Sequence, residues 1–155
     1  MIFVTVGTQL PFPRLISAME ALTAEMHEEV IAQTGPYEGV LAHMSGQENM
    51  IPEMFERNFT AARLVVAHAG VGSILSAKRY GKPLVVLPRR LAHDEHRNDH
   101  QLATAKAVEA VKGVHVAWQV ADLGPLLARD DLEAASEDMS PSREALIGRL
   151  KGFIG

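Results

Sequence analysis

The sequence contains no cysteine, which excludes disulfide bonds and thiolate chemistry and is compatible with a reducing compartment. It also lacks an excess of positive charge, because 15 lysine and arginine residues stand against 19 acidic residues, for a net charge of −4. Duplex nucleic acid needs a basic surface, so we expect no nucleic-acid partner. No apolar run approaches the roughly 18 residues that span a bilayer. The first residues, MIFVTVGTQL, carry no basic leader, so we expect no signal peptide.

Two common nucleotide-binding motifs are missing as well. The first apolar run is followed by Gly7-Thr8-Gln9 instead of G-x-G-x-x-G, which disfavours an NAD- or FAD-dependent oxidoreductase. No G-x-x-x-x-G-K-[ST] occurs, so a P-loop nucleotidase is not indicated. What remains is a chain of 155 residues, 47% apolar and 22% charged, which is typical of one folded domain over residues 1–155.

Short apolar runs alternate with stretches of helical periodicity. We predict strands over residues 2–6, 30–32, 40–44, 64–67, 84–87 and 114–117, with a polar turn at residues 45–47. We predict helices beginning near Pro13, over 50–62, from the glycine turn to Gly81, and over 98–112, 123–128 and 143–153. This alternation predicts an α/β fold with a Rossmann-like parallel sheet and helices on both faces.

Glycine and polar residues follow several predicted strands directly. Ligands of such sheets bind at the carboxyl ends of the strands, so Gly7-Thr8, the turn after residue 67 and the residues after Pro88 should converge at one edge. Gly70 and Gly72 flank a predicted helix start, where backbone N–H groups and the helix dipole favour a phosphate. The alternative is a tight turn that needs glycine only for packing, and the spacing leaves both interpretations open.

The segment after Pro88 is unusually polar. Arg89 and Arg90 suit a diphosphate or a sugar carboxylate, or else they form a solvated surface pair. The segment contains several residues of types that can bind a metal: His93, Asp94, Glu95, His96, Asp99 and His100. The neighbouring arginines would repel a cation and no zinc spacing is matched, so we expect no metal. We interpret Asn98, Asp99, His100 and Gln101 as a hydrogen-bonding rim for sugar hydroxyls, with helix capping by Asn98 or Asp99 as the alternative.

Four motifs stand in a fixed order along the chain: VTVGT, HAGVGS, GKPLVVLP and EHRNDHQLA. Together they resemble the C-terminal nucleotide-sugar domain of glycosyltransferase family 28, over residues 2 to 116. Within that family the pattern is similar to the small catalytic subunits of split bacterial exopolysaccharide glycosyltransferases. The soluble subunit of the eukaryotic dolichol-linked UDP-GlcNAc transferase is a more distant relative.

This resemblance implies the donor-binding half of a GT-B fold, working with a membrane-associated subunit that binds the acceptor. The implied enzyme is inverting, needs no metal or cofactor, and transfers a sugar from a UDP-sugar to a lipid-linked saccharide in exopolysaccharide synthesis. We expect a cytoplasmic protein, peripheral at the inner face of the membrane through its partner. The alternatives are a non-catalytic UDP-sugar-binding subunit and a UDP-GlcNAc, galactose or glucose transferase.

The resemblance also implies roles for individual residues. Donor-binding residues would be Gly7 and Thr8 at the diphosphate, Gly70, Gly72 and Ser73 at a phosphate, and Glu95, His96, Asn98, Asp99, His100 and Gln101 at the sugar. Many relatives hold the ribose with a glutamate where this chain has Ser76, a weaker partner. His68 is a candidate general base, although we expect the missing acceptor domain to supply one. Arg89 and Arg90 beside the sugar favour glucuronate as the donor sugar.

Overall fold

Six parallel strands form one sheet in the part of the chain that the structure describes. This computed structural model describes residues 1–8, 10–96 and 98–136. The strands are β1 (Ile2–Thr5), β2 (Val30–Gln33), β3 (Ser45–Gln47), β4 (Leu64–His68), β5 (Leu84–Leu87) and β6 (Val114–Val116). Their order is β3-β2-β1-β4-β5-β6, and every neighbouring pair runs parallel. The predicted parallel sheet is therefore confirmed.

Helices cover both faces of this sheet, as predicted. They are α1 (Pro13–Thr23), α2 (Pro52–Ala61), α3 (Val71–Tyr80), α4 (His100–Val108) and α5 (Leu123–Leu127). Side chains of a strand alternate between faces, so Ile2 and Val4 of β1 pack in one core cluster and Phe3 in the other. Residues of α1 and α5 belong to the first cluster, and residues of α2, α3 and α4 to the second. The central strands are buried on both sides, which explains their continuous apolar runs.

The ends of the helices follow from proline and glycine. Pro13 and Pro52 stand in the first turns of α1 and α2, where a missing N–H costs no hydrogen bond. Gly81 ends α3 in the left-handed conformation at φ 65°, as predicted for its position. Local sequence signals therefore predict α1, α2 and α3 and four of the first five strands. The remaining one of these five strands was not predicted.

That strand is β3, and the predicted strand over residues 40–44 was wrong. Val40 is 84% exposed and belongs to no strand, whereas Ser45, Gly46 and Gln47, predicted as a turn, pair with β2. β3 lies at the edge of the sheet with exposed side chains, so apolar patterning carries no signal for it. Gly46 is needed because a Cβ there would lie 2.4 Å from Leu41 Cδ1.

One further prediction near the carboxyl end differs from the structure. The helix predicted over residues 98–112 is shorter, since α4 begins at His100 and ends at Val108. Its buried side includes the polar residues Gln101 and Thr104 beside Ala105 and Val108, so the expected apolar stripe is only partly apolar. The predicted helix over residues 143–153 lies outside the described residues.

The strand order fixes where a ligand belongs. Beginning with β1, the chain first extends the sheet through β2 and β3, and then returns to add β4, β5 and β6 on the other side. The switch in direction lies between β1 and β4, and open α/β sheets bind ligands at the carboxyl ends of the strands beside such a point.

Across the described ranges, no helix combines the length and the apolar character needed to cross a membrane.

Candidate functional site

A cavity of about 560 Å³ opens at the carboxyl ends of β1 and β4, at the switch point. Its walls come from the loop after β1, the turn between β4 and α3, the ends of β2 and β3, and the residues after β5. The lining residues are Thr5, Val6, Gly7, Thr8, Leu10, Gln33, Asn49, Met50, Phe55, His68, Gly70, Val71, Gly72, Ser73, Ser76, Arg89, His96 and Gln101. This volume is in the range of small-molecule sites.

The turn between β4 and α3 presents a helix start to the cavity. Gly70 is the N-cap of α3, and no side chain caps the helix, so its first N–H groups have no intrahelical partner. A Cβ added at Gly72 would meet nothing within 4 Å. Packing therefore does not require glycine at position 72, and the missing side chain leaves the helix start open to the cavity. Such a helix start favours an anion.

Gly7 and Gly70 are glycines for a different reason. A Cβ at Gly7 would lie 2.8 Å from Nε2 of His68, and one at Gly70 would lie 2.4 Å from Cε1 of the same ring. Gly7 also has φ 79°, which favours glycine independently of space. The two glycines let the imidazole of His68 lie between two backbone segments at the base of the cavity. The packing alternative thus holds for Gly70 but not for Gly72.

Arg89 holds the loop after β1 in place. The residue is only 2% exposed, and its guanidinium donates hydrogen bonds to three carbonyls, those of Val6 (2.6 Å), Leu10 (2.8 Å) and Pro11 (2.6 Å). Its Cζ also lies 4.7 Å from the centroid of the Phe12 ring. Arg89 was expected to pair with a ligand, but its guanidinium binds carbonyl groups of the protein. Its positive charge still acts on the cavity.

Two buried glutamines support the same walls. Gln33 accepts a hydrogen bond from the Thr5 hydroxyl (2.7 Å) and donates to the carbonyls of Gly7 (3.1 Å) and Glu48 (2.9 Å). Gln101 accepts from the backbone N–H groups of Ala69 (3.2 Å) and Arg89 (3.0 Å) and lies 3.0 Å from Nδ1 of His68. These two amide side chains thus join the loops around the cavity, in addition to the contacts of Arg89.

The electrostatics of the cavity favour an anionic ligand. The net charge of the chain is −4, yet no carboxylate is found among the described lining residues. Burial lowers the pKa of Arg89 to about 10, which leaves it charged at neutral pH. Burial, with the nearby Arg89 and His96, lowers the pKa of His68 to about 3, so its imidazole is neutral at pH 7. A diphosphate here would meet one positive charge and no described negative charge.

The structure brings many of the predicted site residues together at this cavity. Those that line it are Gly7, Thr8, His68, Gly70, Gly72, Ser73, Ser76, Arg89, His96 and Gln101. The remaining five do not line it: Arg90, Glu95, Asn98, Asp99 and His100. His68 is the last residue of β4, and the others follow β1, β4 or β5 or lie in α3 and α4, which agrees with the rule that strand ends converge.

The five other predicted residues belong to the scaffold or the surface. Arg90 Nη2 donates to the carbonyl of Trp118 (2.6 Å), away from the cavity. Asn98 Oδ1 accepts from the N–H of His100 (2.9 Å), and Asp99 Oδ1 accepts from the N–H of Leu91 (2.8 Å). Asp99 is the N-cap of α4 but makes no side-chain capping hydrogen bond. His100 is exposed. A role of these residues at a donor sugar stays a prediction.

Glu95 forms an internal ion pair. Its carboxylate is 7% exposed and accepts two hydrogen bonds from Arg14 of α1, Nε to Oε2 (2.8 Å) and Nη2 to Oε1 (2.9 Å). It also accepts from the N–H of Arg90 (3.0 Å). This fork anchors the segment after β5 to α1. Within the described ranges, no three His, Asp or Glu side chains come together in a way that would hold a metal ion.

Several lining residues were not predicted from the sequence. Gln33 ends β2 and Asn49 follows β3, so both occupy the strand ends at which ligands were expected. The rule for strand ends would have found Gln33, but the wrong position of the third strand concealed Asn49. Met50 and Phe55 add an apolar wall, which the helix predicted over residues 50–62 did not indicate.

Fold and site together define a Rossmann-like domain with the strand order 3-2-1-4-5-6 and an open glycine turn at the switch point. Comparison with protein families gives a match to the Glycosyltransferase family 28 C-terminal domain over residues 1–141. The chain belongs to this family. The resemblance seen in the four motifs is confirmed, and the fold is the Rossmann-like one of GT-B glycosyltransferases.

Solved structures with the same fold fall into two sizes. ALG13, solved by NMR, matches with a TM-score of 0.66 and 22% identity over 94% of this chain and 93% of its own. The glycotransferase of kitacinnamycin matches with a TM-score of 0.62 and 16% identity, over 98% of this chain and 37% of its own. MurG of Acinetobacter baumannii matches with a TM-score of 0.59 and 18% identity, over 97% of this chain and 44% of its own. The chain thus spans less than half of the latter two. A comparison with curated protein sequences finds no match.

Proposed function

We propose that this chain binds the UDP part of a nucleotide sugar and transfers the sugar, with inversion, to a lipid-linked saccharide in exopolysaccharide synthesis. The observation that carries the proposal is Gly72, whose missing side chain leaves the start of α3 open at the switch point of a family 28 domain. A diphosphate at this position would accept hydrogen bonds from the first N–H groups of the helix. Ser73 lies beside them, and Ser76 is one turn further for a ribose hydroxyl.

The charges of the site suit a departing UDP. Sugar transfer places negative charge on the leaving diphosphate, and fixed donors or cations aimed at that charge accelerate the reaction. The helix dipole of α3 and the buried Arg89 supply positive potential without needing to move. The reaction therefore needs no metal, and we expect transfer to continue in the presence of a chelator.

A second subunit completes the proposed enzyme. Inverting transfer needs a base at the acceptor hydroxyl, and the described lining offers no carboxylate for that task. We propose that a membrane-associated partner binds the lipid-linked acceptor and supplies the base.

The donor sugar is to be tested among four candidates. The sequence favours UDP-glucuronate, because Arg89 and Arg90 beside the sugar would pair with its carboxylate. Both guanidinium groups donate to backbone carbonyls, so the proposal names the UDP-sugar class and treats glucuronate as its first member to test. Calorimetric titration measures the affinities for UDP-glucuronate, UDP-GlcNAc, UDP-glucose and UDP-galactose. The preferred donor is the one whose affinity exceeds that of UDP by the largest factor.

One pair of variants tests the UDP site itself. Gly72→Asp introduces a negative charge at the helix start, where an acidic residue favours the helix by about 0.3–1 kcal/mol but repels a diphosphate. We expect unchanged or higher stability, and UDP affinity at least about tenfold weaker. Gly72→Ala adds only a methyl group in open space and is the matched control. Equal UDP affinity in all three proteins, or no UDP binding by the wild type, would contradict the proposal.

The catalytic part of the proposal needs the partner. The chain is co-expressed with the protein encoded beside it, and the transfer of labelled sugar to membrane lipids is measured with and without a chelator. We expect transfer only when both proteins are present. Full activity of the purified chain alone would refute the two-subunit arrangement, and UDP-sugar binding without any transfer would favour a non-catalytic binding subunit.

A further inference from the structure

The side chain of Gln101 has a fixed orientation. It is 8% exposed, and its Oε1 lies 3.2 Å from the backbone nitrogen of Ala69 and 3.0 Å from that of Arg89. Both nitrogens are donors, so the amide atom facing them must be the oxygen. The alternative flip would place an NH₂ group against two N–H groups and leave all of them unsatisfied in a buried site. The amide nitrogen therefore faces the other way.

On that side lies the imidazole of His68, with Nδ1 3.0 Å from Nε2 of Gln101. An amide NH₂ donates hydrogen bonds and accepts none, so Nδ1 must accept. A neutral imidazole carries one proton, and a lone pair on Nδ1 puts that proton on Nε2. The ring is neutral, because burial and the nearby Arg89 and His96 hold its pKa far below the ordinary value.

The protonated nitrogen lies at the cavity. Nε2 stands between the two glycines of the site, 2.8 Å from the Cβ position of Gly7 and 2.7 Å from that of Gly70. No other residue in the described ranges makes a hydrogen bond to Nε2. Gly7 and Gly70 both line the cavity, as does His68. An anion seated at the start of α3 would have this N–H as a further donor.

We propose that Gln101 is a positioning residue that holds His68 in the Nε2–H tautomer, so that the imidazole donates a hydrogen bond into the cavity and does not act as the general base. The tautomer itself follows from the protein contacts alone. The identity of the acceptor, a diphosphate oxygen of the donor, rests on the proposed function. The base must then come from elsewhere, which agrees with the proposed second subunit.

The tautomer is directly measurable. In ¹⁵N-labelled full-length protein, long-range ¹H–¹⁵N correlation spectra separate a protonated imidazole nitrogen from an unprotonated one by a large difference in chemical shift. The chain has seven histidines, and the pattern of His68 is identified by its loss in His68→Gln. We expect a protonated Nε2 and an unprotonated Nδ1 at pH 7. A protonated Nδ1 would overturn the inference without any further variant.

Gln101→Glu tests the role of the amide. One carboxylate oxygen can still accept from Ala69 and Arg89, while the other faces Nδ1 as an acceptor. The proton should then move to Nδ1, or the ring should become doubly protonated. An unchanged His68 pattern in folded Gln101→Glu would show that Gln101 does not set the tautomer. Gln119→Glu is the matched control, because the side chain of Gln119 also accepts from a backbone N–H but lies outside the cavity.

UDP titration separates this inference from the proposed function. If a diphosphate accepts from Nε2–H, His68→Leu, which has no donor, should weaken UDP binding by about tenfold, the worth of one hydrogen bond to a charged group. Gln119→Glu should bind UDP as the wild type does. If the wild type shows the Nε2–H tautomer but binds no UDP, the proposed function fails and the assignment of Gln101 stands. If UDP binds but folded His68→Leu binds it equally well, the donor role of His68 is refuted.

Discussion

The turn between β4 and α3 and the segment between β5 and α4 follow neighbouring strands at the same edge of the sheet, but they serve different purposes. The turn, residues 69–70, is nearly bare of polar side chains and opens a helix start to the cavity. The segment, residues 88–99, is rich in arginine, histidine and carboxylates, yet Arg89, Arg90 and Glu95 bind other parts of the protein. In this domain, the segment rich in polar residues mainly stabilises the fold, whereas the turn with few side chains opens onto the candidate site.

The largest effect expected from breaking this division is on Arg89. Arg89→Met removes the donors of three carbonyls in the loop after β1, and we expect a loss of about 3–5 kcal/mol in the free energy of unfolding. Urea denaturation measures it. Arg90→Met is the control, since it removes one hydrogen bond and should cost about 1 kcal/mol. Equal losses in the two variants would show that Arg89 does not anchor the loop.

A second, smaller effect is expected at Glu95. Glu95→Gln keeps one oxygen but places an NH₂ group against Nε of Arg14, which should lower the free energy of unfolding by about 2 kcal/mol. UDP affinity of the folded variant should stay within about twofold of the wild type, because the carboxylate lies outside the cavity. Calorimetry and urea denaturation together decide. A tenfold loss of UDP affinity with unchanged stability would show that Glu95 acts in ligand binding and not in stabilising the fold.

The pH dependence of stability should reveal the buried imidazole. The pKa of His68 is about 3 in the folded chain and near the ordinary 6.5 in the unfolded chain. As pH falls below 6.5, only the unfolded state takes up this proton, so stability falls by at most about 1.4 kcal/mol per pH unit from this group. We expect a shallower fall between pH 6 and pH 4 in His68→Gln, measured by urea denaturation. His27→Gln, which changes an exposed histidine, is the control, and identical slopes in all three proteins would contradict a buried neutral His68.

The smallest effect is expected at His100. Its side chain is exposed, so His100→Ala should change the free energy of unfolding by less than about 0.5 kcal/mol. It lies outside the cavity, and we expect unchanged affinity for both UDP and the preferred UDP-sugar. Parallel titrations with the two ligands check this. A loss confined to the UDP-sugar would support the sugar-binding role that the sequence predicted.

Much of the fold could be predicted because the central strands are buried on both faces. Runs such as residues 64–67 and 84–87 are apolar for that reason, and the residues after β1 and β4 then fall at one edge of the sheet. β3 was missed because an exposed edge strand has no apolar pattern. The role of Glu95 could not be predicted, because its partner Arg14 is 81 residues away in sequence. Local patterns contain no information on such a pairing.

The buried guanidinium of Arg89 links ligand binding in the cavity to the stability of the whole domain. Burial lowers its pKa to about 10, which means that its charge is destabilised in the unliganded chain. An anion in the cavity would relieve part of that cost, and only the folded state can bind it there. Ligand binding and folding therefore favour each other, and the midpoint of thermal unfolding should rise with the concentration of UDP. In a cell, the abundance of the intact chain would then depend on the supply of the proposed UDP-sugar.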